Sequence, residues 1–166
     1  MFPFDISHPV VGRASVEINK PVKLVFHFVG EKFFDNYPKW ALEVSDFKPL
    51  TGTDIFVGAK AQQTRQEQGQ KVESVLEVSE FEPPRKVTLK GVDAPFRNTY
   101  QFSDNGKQDL TELEFSFELL ELELFMWPFE KLIRMAIEEG AENTVENIKN
   151  LLADEPNNLS TQGVKA

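Results

Sequence analysis

From residue 14 to residue 119 apolar side chains recur mostly at every second position, and beyond residue 128 the spacing becomes helical. Val16 and Ile18 share one face of "ASVEI". Strands are predicted from about Leu42 to Leu50, ending at Thr51-Gly52, and from Lys60 to Glu67 and Lys71 to Glu80 across "QGQ". Val87 to Lys90 follows. Phe96, Asn98, Tyr100 and Phe102 then alternate up to "SDNGK", where Asn105-Gly106 supplies the positive φ of a hairpin turn. The cleanest strand sets Leu113, Phe115, Phe117 and Leu119 against Glu112, Glu114, Ser116 and Glu118, one side core and the other water. The apolar parity then slips to Leu120, Leu122 and Leu124, which requires a bulge or a strand end.

Two short helices and one long one complete the pattern. Leu24, Phe26 and Phe28 fit a strand too, but Asn19 as N-cap, Pro21 in the first turn and Gly30 past the end favour a helix. A second helix, Glu31 to Asn36, should stop before Pro38. "WPFEKLIRMAIEEGAENTVENIKNLL" reads as a single helix from Pro128 to Leu152, about 37 Å long. Its buried stripe is expected at Phe129, Leu132, Ile133, Ala136, Ile137, Gly140, Thr144, Ile148 and Leu151. Residues 1–12 read as an N-terminal arm, 13–153 as the folded domain and 154–166 as a disordered tail. The fold class is α+β: a curved antiparallel sheet of about six to seven strands with helices gathered on one face.

Between two strands stands "SEFEPPRKVTLKG", whose Pro83 and Pro84 cannot donate to a ladder. The double proline reads as a stiff corner, with Phe81 packed beneath it and Arg85 turned to solvent or a nearby carboxylate.

Composition narrows the function. A net charge of −9 disfavours nucleic acid and anionic lipid surfaces as partners. The absence of Cys removes disulfides, thiolate nucleophiles and Cys-containing metal sites, and His8 and His27 lack metal-ligand spacing. Fifteen Phe against two Tyr and two Trp favour apolar filling. No apolar run is long enough to span a membrane, and "MFPFDISHPV" lacks the regions of a signal peptide, so a cytoplasmic protein is expected. No cofactor is implied, and monomer and homodimer stay open.

From about Ala14 to Leu152 the chain resembles the START-like helix-grip superfamily (SRPBCC), specifically its polyketide cyclase/dehydrase branch. The resemblance rests on the order and spacing of "VEINKPVKLVFHFV", "YPKW", "VGAK", "LEVSEFEPPRKVTL", "NTYQF" and the long last helix. It implies a sheet wrapped around that helix, with a cavity at one end near the short helices.

The family pattern points Ala59, Ala61, Gln63 and Arg65 inward on the third strand and Val72, Ser74, Leu76 and Val78 inward on the fourth. The opposite parity of the third strand would bring in Lys60, Gln62, Thr64 and Gln66, which is no more apolar. Phe96, Asn98 and Tyr100 join from a later strand, and Ile133, Ile137 and Gly140, with Ala136 and Ala141, from the last helix. Many are small or polar where a packed core wants Leu or Ile, which suggests a hollow with a few hydrogen-bonding points. An inward Arg65 needs an anion, either a ligand group or one of the many Glu residues. Arg65 and Tyr100 are the catalytic candidates, with Asn98 beside them to polarise a carbonyl. Tyr37 and Trp40 flank Pro38 at the expected mouth, and Met126 and Trp127 are placed on the opposite lip. His27 is a possible general base, read here without an acidic partner one turn away.

Three functions follow from this reading. The first is binding of a small hydrophobic ligand, either lipid-like or aromatic and polyketide-like. The resemblance also implies a cyclase or dehydrase that holds a flexible chain in a reactive fold. A protein–protein module like the superfamily's Hsp90 activators is the third.

Overall fold

A computed structural model describes residues 9–67 and 69–156. Strand β1 (Val10–Ile18) leads into α1 (Val22–Phe26), a π-helical turn (His27–Glu31) and α2 (Phe33–Trp40). Six strands follow: β2 (Val44–Pro49), β3 (Lys60–Glu67), β4 (Gln70–Glu82), β5 (Lys86–Gly91), β6 (Phe96–Ser103) and β7 (Thr111–Leu119). A 3-10 turn (Leu124–Phe129) enters the last helix, α3 (Glu130–Ala153). The strands form one antiparallel seven-stranded sheet in the order β1-β7-β6-β5-β4-β3-β2, so β1 crosses over to pair with β7. This is the helix-grip architecture that the alternation and the resemblance led us to expect. Among the described residues no helix is long and apolar enough to cross a membrane.

Alternation places the core. Ala61, Leu76, Val78, Val87, Leu89, Tyr100, Phe102, Leu113 and Phe115 all point to the inner face and are buried there. Ala61 and Gln63 are buried while Gln62 and Thr64 are only half-buried, so β3 has the parity that turns Arg65 inward. The parity slip after β7 is a strand end at Leu119. Asn105 and Gly106 turn the β6–β7 hairpin with φ of 50° and 76°. Phe81 packs on Phe26 with ring centroids 5.6 Å apart, and Arg85 is exposed beside the Pro83-Pro84 corner. Those prolines shape the chain and lie outside the cavity described below.

The helices and termini depart from the sequence pattern. Val10 to Gly12, expected in the arm, are strand, because β7 offers them a continuous ladder from Leu119 to Phe117. The first eight residues and those from 157 on lie outside the described residues. Pro21, not Asn19, caps α1, and Gly30 sits inside the π-helical turn with Phe26 against it. Helix α2 runs through Pro38 to Trp40. The proline forfeits one hydrogen bond, but continuing the helix buries Tyr37 and Trp40 on the face that already buries Phe33 and Phe34.

On α3 the buried side chains are Ala141, Val145, Ile148 and Leu152. Phe129 and Leu132 of the expected stripe are exposed, at 50% and 64%. Nearer the C-terminus the buried face is rotated by one residue, with Val145 replacing Thr144 and Leu152 replacing Leu151. The helix crosses β1 closely: a Cβ on Gly12 would lie 2.5 Å from Ile137 Cγ2 and 2.8 Å from the Glu138 nitrogen.

Candidate functional site

The first half of α3 spans a hollow instead of a packed core. The cavity encloses about 450 Å³ between the inner faces of β3, β4, β6 and β7, the end of α2, and α3 from Ala136 to Thr144. Its volume falls within the range of small-molecule sites.

Helix α2 builds one wall. Phe33, Tyr37 and Trp40 recur at helical spacing; Phe33 stacks on Tyr37 at 4.7 Å, and Tyr37 meets Trp40 edge-on at 6.1 Å. This packing fixes both cavity-lining rings. Tyr37 and Trp40 are buried, so they form the wall itself and not the exposed mouth the sequence suggested. The opposite wall is aromatic as well. Tyr100 lies 4.8 Å from Phe115, and Phe96 stacks on Phe117 at 5.8 Å with their planes 7° apart.

A line of hydrogen bonds crosses the cavity floor. The Tyr37 hydroxyl donates to Gln63 Oε1 at 3.0 Å, and Gln63 Nε2 donates to Ser74 Oγ at 3.1 Å. Trp40 Nε1 donates to the Tyr100 hydroxyl at 3.2 Å. Burial pushes the Tyr37 pKa up to about 12, with Arg65 pulling the other way and Glu43 adding to the rise. Burial also raises Tyr100 well above the ordinary value for tyrosine. Both phenols are therefore neutral hydrogen-bond donors at physiological pH, poor as proton donors and absent as bases.

Arg65 stands at the rim. Its Nη2 lies 2.7 Å from Glu43 Oε1, its Nε lies 3.1 Å from Glu67 Oε2, and its Nη1 donates to the Tyr37 hydroxyl at 3.4 Å. Of the two anions left open for Arg65, these are carboxylates of the chain itself. The Val44–Arg65 pairing brings Glu43 alongside, and Glu67 follows Arg65 on the same face of β3.

The structure gathers Tyr37, Trp40, Gln63, Arg65, Ser74, Asn98, Tyr100, Ile137 and Gly140 onto one cavity. It does not bring Ala61 there: that side chain is buried in the adjoining core. Ile133 also lies off the lining, because the cavity begins on α3 at Ala136. Met126 and Trp127 are not on the lip; the Trp127 indole instead donates to the Leu122 carbonyl at 2.7 Å. His27 is remote from the cavity and does have an acidic neighbour one turn on, with Glu31 Oε1 3.1 Å from its Nδ1.

Sequence reasoning missed Ala41, Glu43, Glu67, Ala94 and Thr144 as lining residues, and it read Phe115 and Phe117 as core only. The inward parity of the two phenylalanines was visible. What lies opposite them was not.

No protein-family model matches the sequence, and no curated protein matches it. Solved structures do. The chain is similar to TTHA0849 from Thermus thermophilus at 16% identity and a TM-score of 0.69, over 87% of this chain and 99% of that one. Norcoclaurine synthase from Thalictrum flavum, solved in complex with dopamine and hydroxybenzaldehyde, matches at 13% identity and 0.68, over 91% and 90%. The Zhui aromatase/cyclase from Streptomyces sp. R1128 matches at 10% identity and 0.70, over 88% and 94%. Likeness at these identities establishes a shared fold, the helix-grip fold.

Proposed function

We propose that the protein binds a small, largely apolar molecule in the cavity between its sheet and α3. The observation that carries this reading is a hollow of about 450 Å³, walled by aromatic rings, in a sheet whose other inward positions are packed. Walls of this kind bury a ligand's apolar surface, while a few polar atoms fix its orientation. The fold neighbours lend support, since norcoclaurine synthase was solved with two small aromatic molecules. An open cavity counts against a module that acts only through its outer surface.

Native mass spectrometry of freshly purified protein tests the reading. The expected result is an added mass that vanishes on denaturation, or one that appears when a small aromatic is supplied. A bare mass under both conditions would overturn it.

One observation favours catalysis as a second reading. The Tyr100 hydroxyl accepts from Trp40, and its own hydrogen has no acceptor among the described residues. A held substrate carbonyl polarised there would resemble the positioning chemistry of a cyclase. The test is turnover of a poly-β-keto chain by the wild type and its loss in Tyr100→Phe; a wild type without turnover removes this reading.

A further inference from the structure

Five polar side chains of the described residues are buried: Asn36, Gln63, Thr88, Asn98 and Thr111. Four have partners. Asn36 donates to the Phe28 carbonyl, Gln63 bridges Tyr37 and Ser74, Thr88 meets Thr99, and Thr111 donates to the Lys20 carbonyl. Asn98 is the exception. It is 5% exposed on the inner face of β6, between Leu89 and Phe117, and its Oδ1 is buried without a hydrogen-bond partner. Buried polar atoms are normally paired, and a leucine at this position would avoid the penalty altogether. Asn98 is among the residues lining the cavity, and no group of the described residues answers its Oδ1.

We propose that the cavity selects an uncharged aromatic molecule bearing a hydroxyl group, which exchanges hydrogen bonds with the Asn98 side-chain amide while its ring lies among Phe96, Tyr100, Phe115 and Phe117. This inference rests on the reading of the cavity as a ligand site. A hydroxyl both donates and accepts, so it serves either end of an amide. An acyl chain offers nothing to a polar group set in mid-wall.

Two further observations agree. Gly140, on α3, lines the same cavity, and a Cβ built there meets nothing within 4 Å. Glycine inside a helix is unfavourable, and here no protein neighbour requires it; the residue is exposed, and the open space beside it borders the cavity. The rim supplies the charge argument. Arg65 is held by Glu43 and Glu67, which leaves the three groups one negative charge in excess, and the other lining side chains are uncharged. A carboxylate ligand would find no free cation among these residues, and a fatty acid is disfavoured on both counts.

Equilibrium dialysis of the full chain against naphthol, naphthalene and naphthoic acid at neutral pH tests the inference. Naphthol should bind at least about tenfold more tightly than either of the others, the effect of one buried hydrogen bond gained and of an unmatched charge avoided. Asn98→Leu should erase the preference for naphthol over naphthalene while keeping naphthalene binding. Gly140→Leu, which narrows the cavity, should weaken both. Equal affinity of the wild type for naphthol and naphthalene overturns this inference and leaves the cavity reading standing, as does tightest binding of naphthoic acid. Failure of all three compounds to bind overturns both. Should Asn98→Leu not fold, the wild-type preference decides alone.

Discussion

The two halves of α3 lie across the same sheet in opposite surroundings. From Ala141 onward, Ala141, Val145, Ile148 and Leu152 sink into a core already holding Leu24, Phe26, Phe102 and Leu113. Before it, Leu132 and Met135 are exposed, and Ala136 and Gly140 stand over open space. Strand β6 repeats the contrast. Phe102 meets Phe26 edge-on at 5.0 Å, whereas Asn98, on the same face, has an unpaired oxygen. The strand alternates identically at both ends. What differs is what comes down from above: α1 delivers large apolar side chains at one end, and α3 withholds them at the other. The cavity is thus made by small residues on the helix, not by any irregularity of the sheet.

Mutation at matched positions tests this contrast most strongly. Ile148→Ala, in the packed half, should destabilise the fold by about 3 kcal/mol in urea denaturation, whereas Ile137→Ala, half-buried between Gly12 of β1 and the cavity, should cost less, about 1.5 kcal/mol. Equal losses would mean that both halves are core.

The glycines should respond with opposite signs. Gly12→Ala places a methyl against the α3 backbone and should cost about 2 kcal/mol, since the helix must lift off β1. Gly140→Ala meets open space and should stabilise by about 1 kcal/mol through helix propensity. A destabilising Gly140→Ala would show that the hollow is filled.

The smallest effect is visible only at high pH. Tyr37 and Tyr100 are the chain's two tyrosines, so tyrosinate absorbance reports the cavity alone. Because Tyr37 is raised to about 12 in the fold, the unfolded chain loses this proton first. The associated stability is complete below pH 10, the ordinary tyrosine value, and is lost as pH rises from there through about 12. Native protein should therefore show no tyrosinate step near pH 10. A step there would place a hydroxyl in water.

Much of the fold was legible because its signals are local. The alternation of Leu113, Phe115, Phe117 and Leu119 marks a strand in any context, and Asn105-Gly106 marks its preceding turn. Inward parity also brought Ser74 and Asn98 to the cavity from sequence, whereas the residues of β3 left its parity open, and only the fold turned Gln63 and Arg65 inward. Pro38 misled because its local penalty is smaller than the gain from burying Tyr37 and Trp40, a sum that exists only after packing. The α3 stripe was misplaced for a related reason. Spacing identifies an apolar face, but the element beneath decides which part of that face is covered.

The sequence by itself determined the order of elements, the antiparallel sheet with one long helix, and the inward faces of the cleanly alternating strands such as β6 and β7, since periodicity and turn chemistry act over a few residues. The tertiary structure alone decided which inward residues meet a packed core and which meet a cavity. It also decided that Arg65 answers to Glu43 and Glu67, and that Asn98 Oδ1 has no partner among the described residues. These outcomes depend on groups far apart in the chain, whose separation is set by how α3 crosses β1 at Gly12.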